Sequence, residues 1–270
     1  MGMSNKNLKL DHLKTRDLHV HTRYCNHAEG NMEDYVLAAV NLGLDEIGFL
    51  AHAEASIDSP RRLWLRSEDL DVYWQEGNEL KHRYGGQIRV SLGLELGLNP
   101  EAFFEMDQVV SRYSWDHLGL AYHFVRDGVV LLNICSRANA QRLKEVNVQE
   151  ICKKYYQALR DHLALIKPDF ICHLDVVRKF MTDTSGDPEI RELIRDLLTE
   201  MARADVALEV NTAGYTTVGA PYPAPWILAE AVQLGIELVL GSDSHQPGHV
   251  GRYFDQALKY IEDSLNTLSD

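Results

Sequence analysis

Long apolar runs, closely paired cysteines and a surplus of positive charge are all missing from this 270-residue chain. No stretch nears the roughly 18 consecutive apolar residues of a membrane span, so no membrane partner is expected. The four cysteines (Cys25, Cys135, Cys152, Cys172) are widely spaced and form no C-x-x-C pair. They read as reduced thiols of a cytoplasmic protein. The opening MGMSNKNLKLDHL lacks the apolar region of a signal peptide, and Lys6 stands where a myristoylation motif needs Ser or Thr. With 27 Lys+Arg against 40 Asp+Glu, the formal net charge is −13, which opposes a nucleic-acid partner. No repeat, low-complexity tract or Pro/Ser-rich linker divides the chain. A single domain over 1–270 is expected, with 1–15 a short N-terminal extension.

What is present is an ordinary apolar fraction, 45 %, enough for a sizeable core, and twelve histidines. Short apolar runs alternate with helix-period segments. The strand candidates are 16–21, 46–52, 89–96, 117–123, 169–175, 207–212 and 237–242. Helical patterns fall at 32–42, 68–84, 100–111, 148–166, 188–204, 225–234 and 249–265. Seven strands each followed by a helix predict an α/β fold with a parallel sheet closed into a TIM-like barrel. Long connections at 53–67, 124–147, 176–187 and 213–224 then share the face where barrel chemistry is found, and predict a substrate lid.

Seven histidines fall at or just beyond strand ends: His19, His21, His27, His52, His123, His173 and His245. Glu95 and Asp243 lie beside them. A lone histidine at a strand end is ordinarily a satisfied polar residue. Seven together would compete for partners and repel when protonated, whereas imidazole is the commonest metal ligand. Seven imidazoles and two carboxylates exceed what one tetrahedral ion can use, so two or three ions are implied. That donor set suits Zn, Fe, Mn or Co better than Mg or Ca.

The segments DLHVHTRYCNHAEG, GFLAHAE, GLEL, YHF, CHLDVVRKF, EVNTAG and GSDSHQPGHVGRYF resemble, in order and spacing, the PHP (polymerase and histidinol phosphatase) metal-dependent phosphoesterases. The resemblance is greatest to the histidinol-phosphatase-like branch and runs from Asp17 to Phe254. It implies a distorted (β/α)7 barrel with a trinuclear site. His19, His21, Glu95 and Asp243 would hold one metal, and Glu95 would bridge to a second held by His123 and His173. His27, His52 and His245 would hold the third. It implies three divalent transition-metal ions (Zn, Fe or Mn).

Such a site would hydrolyse a small, histidinol-phosphate-like phosphomonoester by a metal-bound hydroxide, with Asp243, His245 and Glu95 catalytic. Arg178 and Arg252 are the candidates for binding substrate phosphate. Arg126, Arg137 and Arg142 are weaker candidates, and Tyr215, Tyr222 and Trp226 are candidates to shape the organic end. Asp17 and Asp175 are placed to receive ligand imidazole N–H groups. Glu54 reads as a solvated loop residue, Cys172 as packing and Cys25 as a loop thiol. The loops depart from the branch pattern: Tyr215-Thr216-Thr217 replaces a Leu-Arg pair, and Leu120-Ala121-Tyr122 precedes His123 in place of Gly-Ser-Val. An acidic residue common after the bridging glutamate is also missing from GLELGL. Alternatives are a family member acting on a nucleotide or other phosphate ester, an amidohydrolase-like C–N hydrolase, and a non-catalytic metal-binding module. No lysine lies near the fourth strand, which argues against the amidohydrolase.

Overall fold

The computed structural model describes residues 10–59, 61–181, 184 and 186–266. Among them nine strands form: β1 (Arg16–Val20), β2 (Glu46–Glu54), β3 (Arg89–Gly97), β4 (His117–Ala121), β5 (Phe124–Asp127), β6 (Val130–Asn133), β7 (Phe170–Ile171), β8 (Ala207–Asn211) and β9 (Leu238–Gly241). All but β5 and β6 make one parallel sheet in the order β1-β2-β3-β4-β7-β8-β9. The edges meet, because His21 N donates to Ser244 O (2.8 Å) and Val20 bridges Ser244. The sheet is thus a nearly closed barrel, and its seven strands are those expected.

Among the described residues eight α-helices accompany it: α1 (Met32–Leu42), α2 (Leu70–Tyr84), α3 (Phe103–Val110), α4 (Ala140–Leu143), α5 (Val148–Ile166), α6 (Pro188–Ala204), α7 (Pro225–Gln233) and α8 (Phe254–Asn266). Their stripes explain them. In α6, Asp187 caps the amides of Glu189 and Ile190, Pro188 starts the helix, and Ile190, Ile194, Leu197, Leu198 and Met201 are buried. The expected helix from 249 begins later, since Gly251 (φ +65°) and Tyr253 (φ +63°) break the turn before Phe254. Leu10 and Leu13, in a 3-10 turn at Leu10–Thr15, are buried, while the rest of the expected extension lies outside the described residues.

Two features were not expected. The fourth connection carries the antiparallel β5–β6 hairpin, turning at Gly128-Val129 with Gly128 at φ +58°. Strand seven shrinks to two residues, because His173 turns to φ +28° and gives its amide to Glu209 (2.7 Å). Leu18, Leu50, Ala121, Phe170, Cys172 and Val239 form an apolar plug that fills the barrel and supports the site above it. Cys172 therefore packs, as expected. Among the described residues no helix is long and apolar enough to cross a membrane.

Candidate metal centre

Strand period two brings the inward positions of neighbouring strands to one mouth. The structure gathers all nine expected ligands there. His19 and His21, at the end of β1, approach through Nε2 at 2.9 Å. Glu95 of β3 lies at the centre: its Oε2 is 2.6 Å from His52 Nδ1, 3.4 Å from His19 Nε2 and 3.5 Å from His21 Nε2. Its Oε1 is 2.8 Å from His173 Nε2 and 3.2 Å from His123 Nε2. Asp243 Oδ1 is 3.1 Å from His21 Nε2, and His27 and His245 meet through Nε2 at 2.7 Å. His173 and Asp243 both sit at positive φ, +28° and +49°, strained backbone that turns these side chains inward. His52 is shared more widely than expected. It stacks on His21 (4.2 Å), and donor sets form from His21, His52 and His245, from His52, Glu95 and His123, and from His19, His21 and Glu95.

The electrostatics reveal a missing charge. His27 Nδ1 lies 2.7 Å from the Cys25 carbonyl and His245 Nδ1 lies 3.0 Å from the Asp243 carbonyl. A carbonyl only accepts, so each Nδ1 carries the proton and each Nε2 a lone pair. Burial, with the mutual repulsion of the two rings acting on His27, lowers both pKa values, so both rings are neutral. Two lone pairs then face each other at 2.7 Å, an arrangement that a shared cation resolves. Burial raises the carboxyl pKa of Glu95, but His52, His123 and His19 outweigh it and hold Glu95 well below the usual range. Burial likewise opposes and His19, His21 and His245 overcome it at Asp243. The donor set therefore fits divalent transition ions.

Outer contacts orient the rings, and several differ from expectation. His19 Nδ1 donates to Glu209 of β8 at 2.6 Å, a partner that sequence reasoning missed. Its signal was a lone charge between Leu208 and Val210 on a strand. Glu54 is no solvated loop residue: it ends β2 and accepts from His123 Nδ1 at 2.7 Å. Asp17 holds the backbone amides of Ser242 (2.9 Å), Gly251 (2.9 Å) and His19 (3.4 Å), not an imidazole. Asp175 accepts from Ala224 N (2.9 Å) and pairs with Arg178. Cys25 is buried under His52, whose amide reaches Sγ at 3.3 Å, and burial pushes its thiol up to about 12.

Above the cluster lies a cavity of about 340 Å³. Lys179 and Arg252 line it, with Ser136, Thr216 and Thr217. Arg252 also braces the ligand loop, donating to the carbonyls of Ser242 (3.0 Å) and Asp243 (3.3 Å). Arg178 is not brought there. It is held by Asp175 (2.9 Å) and the Pro221 carbonyl (2.8 Å), and lines a separate cavity with Trp226. Lys179, unremarked in the sequence, lines the cavity instead. Arg126 is tied to Glu101, and Tyr215 packs on Tyr253. Tyr222 lines the cavity, as do Trp64 and Phe124, whose rings meet edge to face at 6.1 Å.

The family model described as "PHP domain" matches residues 17–213. A "Probable histidinol-phosphatase" of Deinococcus radiodurans is 32 % identical over 257 residues, 92 % of either chain. A histidinol-phosphatase of Bacillus subtilis is 29 % identical, covering 92 % of this chain and 99 % of its own. The fold matches that of a histidinol phosphatase candidate from Listeria monocytogenes, with a TM-score of 0.81 and 25 % identity over 89 % of this chain and 99 % of that one. It also matches histidinol phosphate phosphatase from Lactococcus lactis, solved with Zn, L-histidinol and phosphate, with a TM-score of 0.74 over 94 % and 93 %; at 23 % identity that likeness speaks to the fold.

Proposed function

Because the chain belongs to the PHP domain family of metal-dependent phosphoesterases, we propose that it hydrolyses a small phosphomonoester of the histidinol-phosphate kind. The observation that carries this reading is the cavity itself. A floor of seven imidazoles and two ionised carboxylates lies under a rim of two cations, Lys179 and Arg252. At about 340 Å³ it suits one small ester rather than a polymer. The relatives named as histidinol-phosphatases support the substrate class.

Three divalent ions held by the nine ligands would supply Lewis acidity at phosphorus and acidify water that reaches them. Glu95 joins the donor sets by offering an oxygen to each side. Asp243, ionised and at the cavity wall beside His245, takes up the proton of the attacking water. Lys179 and Arg252 hold the phosphoryl oxygens while the new P–O bond forms and the ester P–O bond breaks. The proton taken up by Asp243 passes to the leaving oxygen, so the products are an alcohol and inorganic phosphate. Trp64, Phe124 and Tyr222 face the organic group, and this aromatic wall also suits a nucleobase.

The test is turnover of phosphorylated metabolites by protein loaded with Mn or Zn, with histidinol phosphate, nucleoside monophosphates and p-nitrophenyl phosphate included. The expected result is phosphate release greatest with histidinol phosphate and abolished in His19→Ala and Asp243→Ala. Preference for a nucleotide would move the substrate class. No turnover of any ester by metal-loaded protein would overturn the reading.

A further inference from the structure

Glu54 stands apart from the other acids of the site because it does so little else. Asp17 fixes three backbone amides, and Asp175 and Glu209 each fix a backbone amide as well as a side chain. Glu54, with its side chain 3 % exposed, makes one described hydrogen bond, from His123 Nδ1 to Oε1 at 2.7 Å. Its Oε2 has no hydrogen-bond partner among the described residues. Burying a carboxylate for a single contact is costly, so that contact needs a purpose.

The neighbouring strand makes room for it. In the β2–β3 register Glu54 pairs with Gly97, and a Cβ at residue 97 would fall 2.0 Å from Oε2 and 2.1 Å from Cδ of Glu54. Only a residue without a side chain lets that carboxylate reach His123. The same geometry aims the missing Cβ of residue 97 at the place the carboxylate occupies.

We propose that Glu54 is a positioning residue of the metal centre that acts through His123, and that Gly97 is the notch that admits it. The inference rests on the metal-centre reading above. With its proton held on Nδ1 by Glu54, His123 presents an Nε2 lone pair toward Glu95 Oε1, 3.2 Å away. Without Glu54 the ring loses both its tautomer and its orientation. An alanine at 97 displaces the carboxylate and produces the same loss. An aspartate at 97 carries its carboxyl carbon only ~1.5 Å beyond Cβ, and so restores an acceptor near Nδ1 when Glu54 is gone.

The experiment compares full-length wild type, Glu54→Ala, Glu54→Gln, Gly97→Ala and the double variant Glu54→Ala/Gly97→Asp, each loaded with Zn and then dialysed against graded chelator. Bound metal per chain is read by elemental analysis, and the melting temperature of each fully chelated protein is read alongside. Glu54→Ala and Gly97→Ala should release one metal per chain at about 10- to 100-fold lower chelator strength. Glu54→Gln, which still offers a carbonyl oxygen, should lose less than Glu54→Ala. The double variant should recover most of the lost affinity, and the chelated proteins should melt alike. Metal retention in Glu54→Ala equal to wild type would overturn the proposal. So would a folded double variant that recovers nothing; if it does not fold, equal losses in Glu54→Ala and Glu54→Gln would do so. A wild type that binds no metal would remove the metal-centre reading itself.

Discussion

Both mouths of the barrel bury histidine and acid, but their charges are answered differently. At the N-terminal mouth every acid named has a fixed donor. Glu46 accepts from Ser91 Oγ (2.8 Å) and pairs with Arg16 (3.0 Å) and Arg89 (3.4 Å). Asp116 holds Leu92 N and Lys81, and Asp169 holds Leu118 N. At the C-terminal mouth no Lys or Arg among the described residues pairs with Glu95 or Asp243; only imidazoles do. The first arrangement is complete as folded and serves stability. The second has room and lone pairs for cations that the chain does not itself provide.

This contrast can be broken at either end. The largest effect belongs to Glu95→Gln, which should lower kcat/KM at least about a thousandfold, because several kcal/mol of metal-assisted stabilisation pass through that carboxylate. Glu46→Gln should leave kcat/KM within a few-fold and cost about 1–3 kcal/mol of stability in a denaturant titration. Equal losses of activity would dissolve the distinction. Chelation comes next: stripping the ions should lower the melting temperature, since a ligand at a thousand times its Kd adds about 4 kcal/mol. Glu95→Gln should shrink that drop and Glu46→Gln should not.

A smaller effect separates two adjacent cations. Lys179→Ala should raise KM roughly ten- to a hundredfold, as expected for a lost charged hydrogen bond to phosphate. Arg178→Ala should instead lower stability with KM little changed, because its partners are Asp175 and Pro221. The reverse pattern would restore Arg178 to the substrate. The smallest effect lies in pH. Burial depresses the pKa of His117 to about 4, against about 6.5 when unfolded, so the unfolded chain binds the proton first. Its stabilising contribution is complete above about pH 6.5 and is lost progressively as pH falls toward 4. Stability of His117→Asn should fall less steeply than wild type across that window, and an unchanged slope would refute the assignment.

The sequence spoke clearly where period and residue type coincide. His-x-His at the end of β1 and Glu95 within an apolar strand can only meet inside a barrel, and the stripes of α1, α5 and α6 fixed those helices to the residue. The rim was less legible. Arg178 and Lys179 are neighbours in a 3-10 turn, and nothing in their order says which faces the cavity. The β5–β6 hairpin was hidden inside a long connection, although Gly128 between two partly apolar runs was a usable sign. Glu54 was misread because β2 runs two residues further than its apolar run suggests, carried by pairing with β3 through Gly97. Glu209 was passed over because a buried acid in a strand shows its purpose only when its partner across the barrel, His19, is known.

The central claim is that cations separate the lone pairs of His27 and His245 and gather around Glu95. Crystals grown with Zn or Mn at neutral pH, with anomalous scattering recorded at the metal edge, test it directly. Three anomalous peaks are expected, one within about 2.0–2.2 Å of His27 and His245 Nε2 and the others against Glu95. An empty cluster in which the two Nε2 atoms remain in contact, at saturating metal, would contradict it.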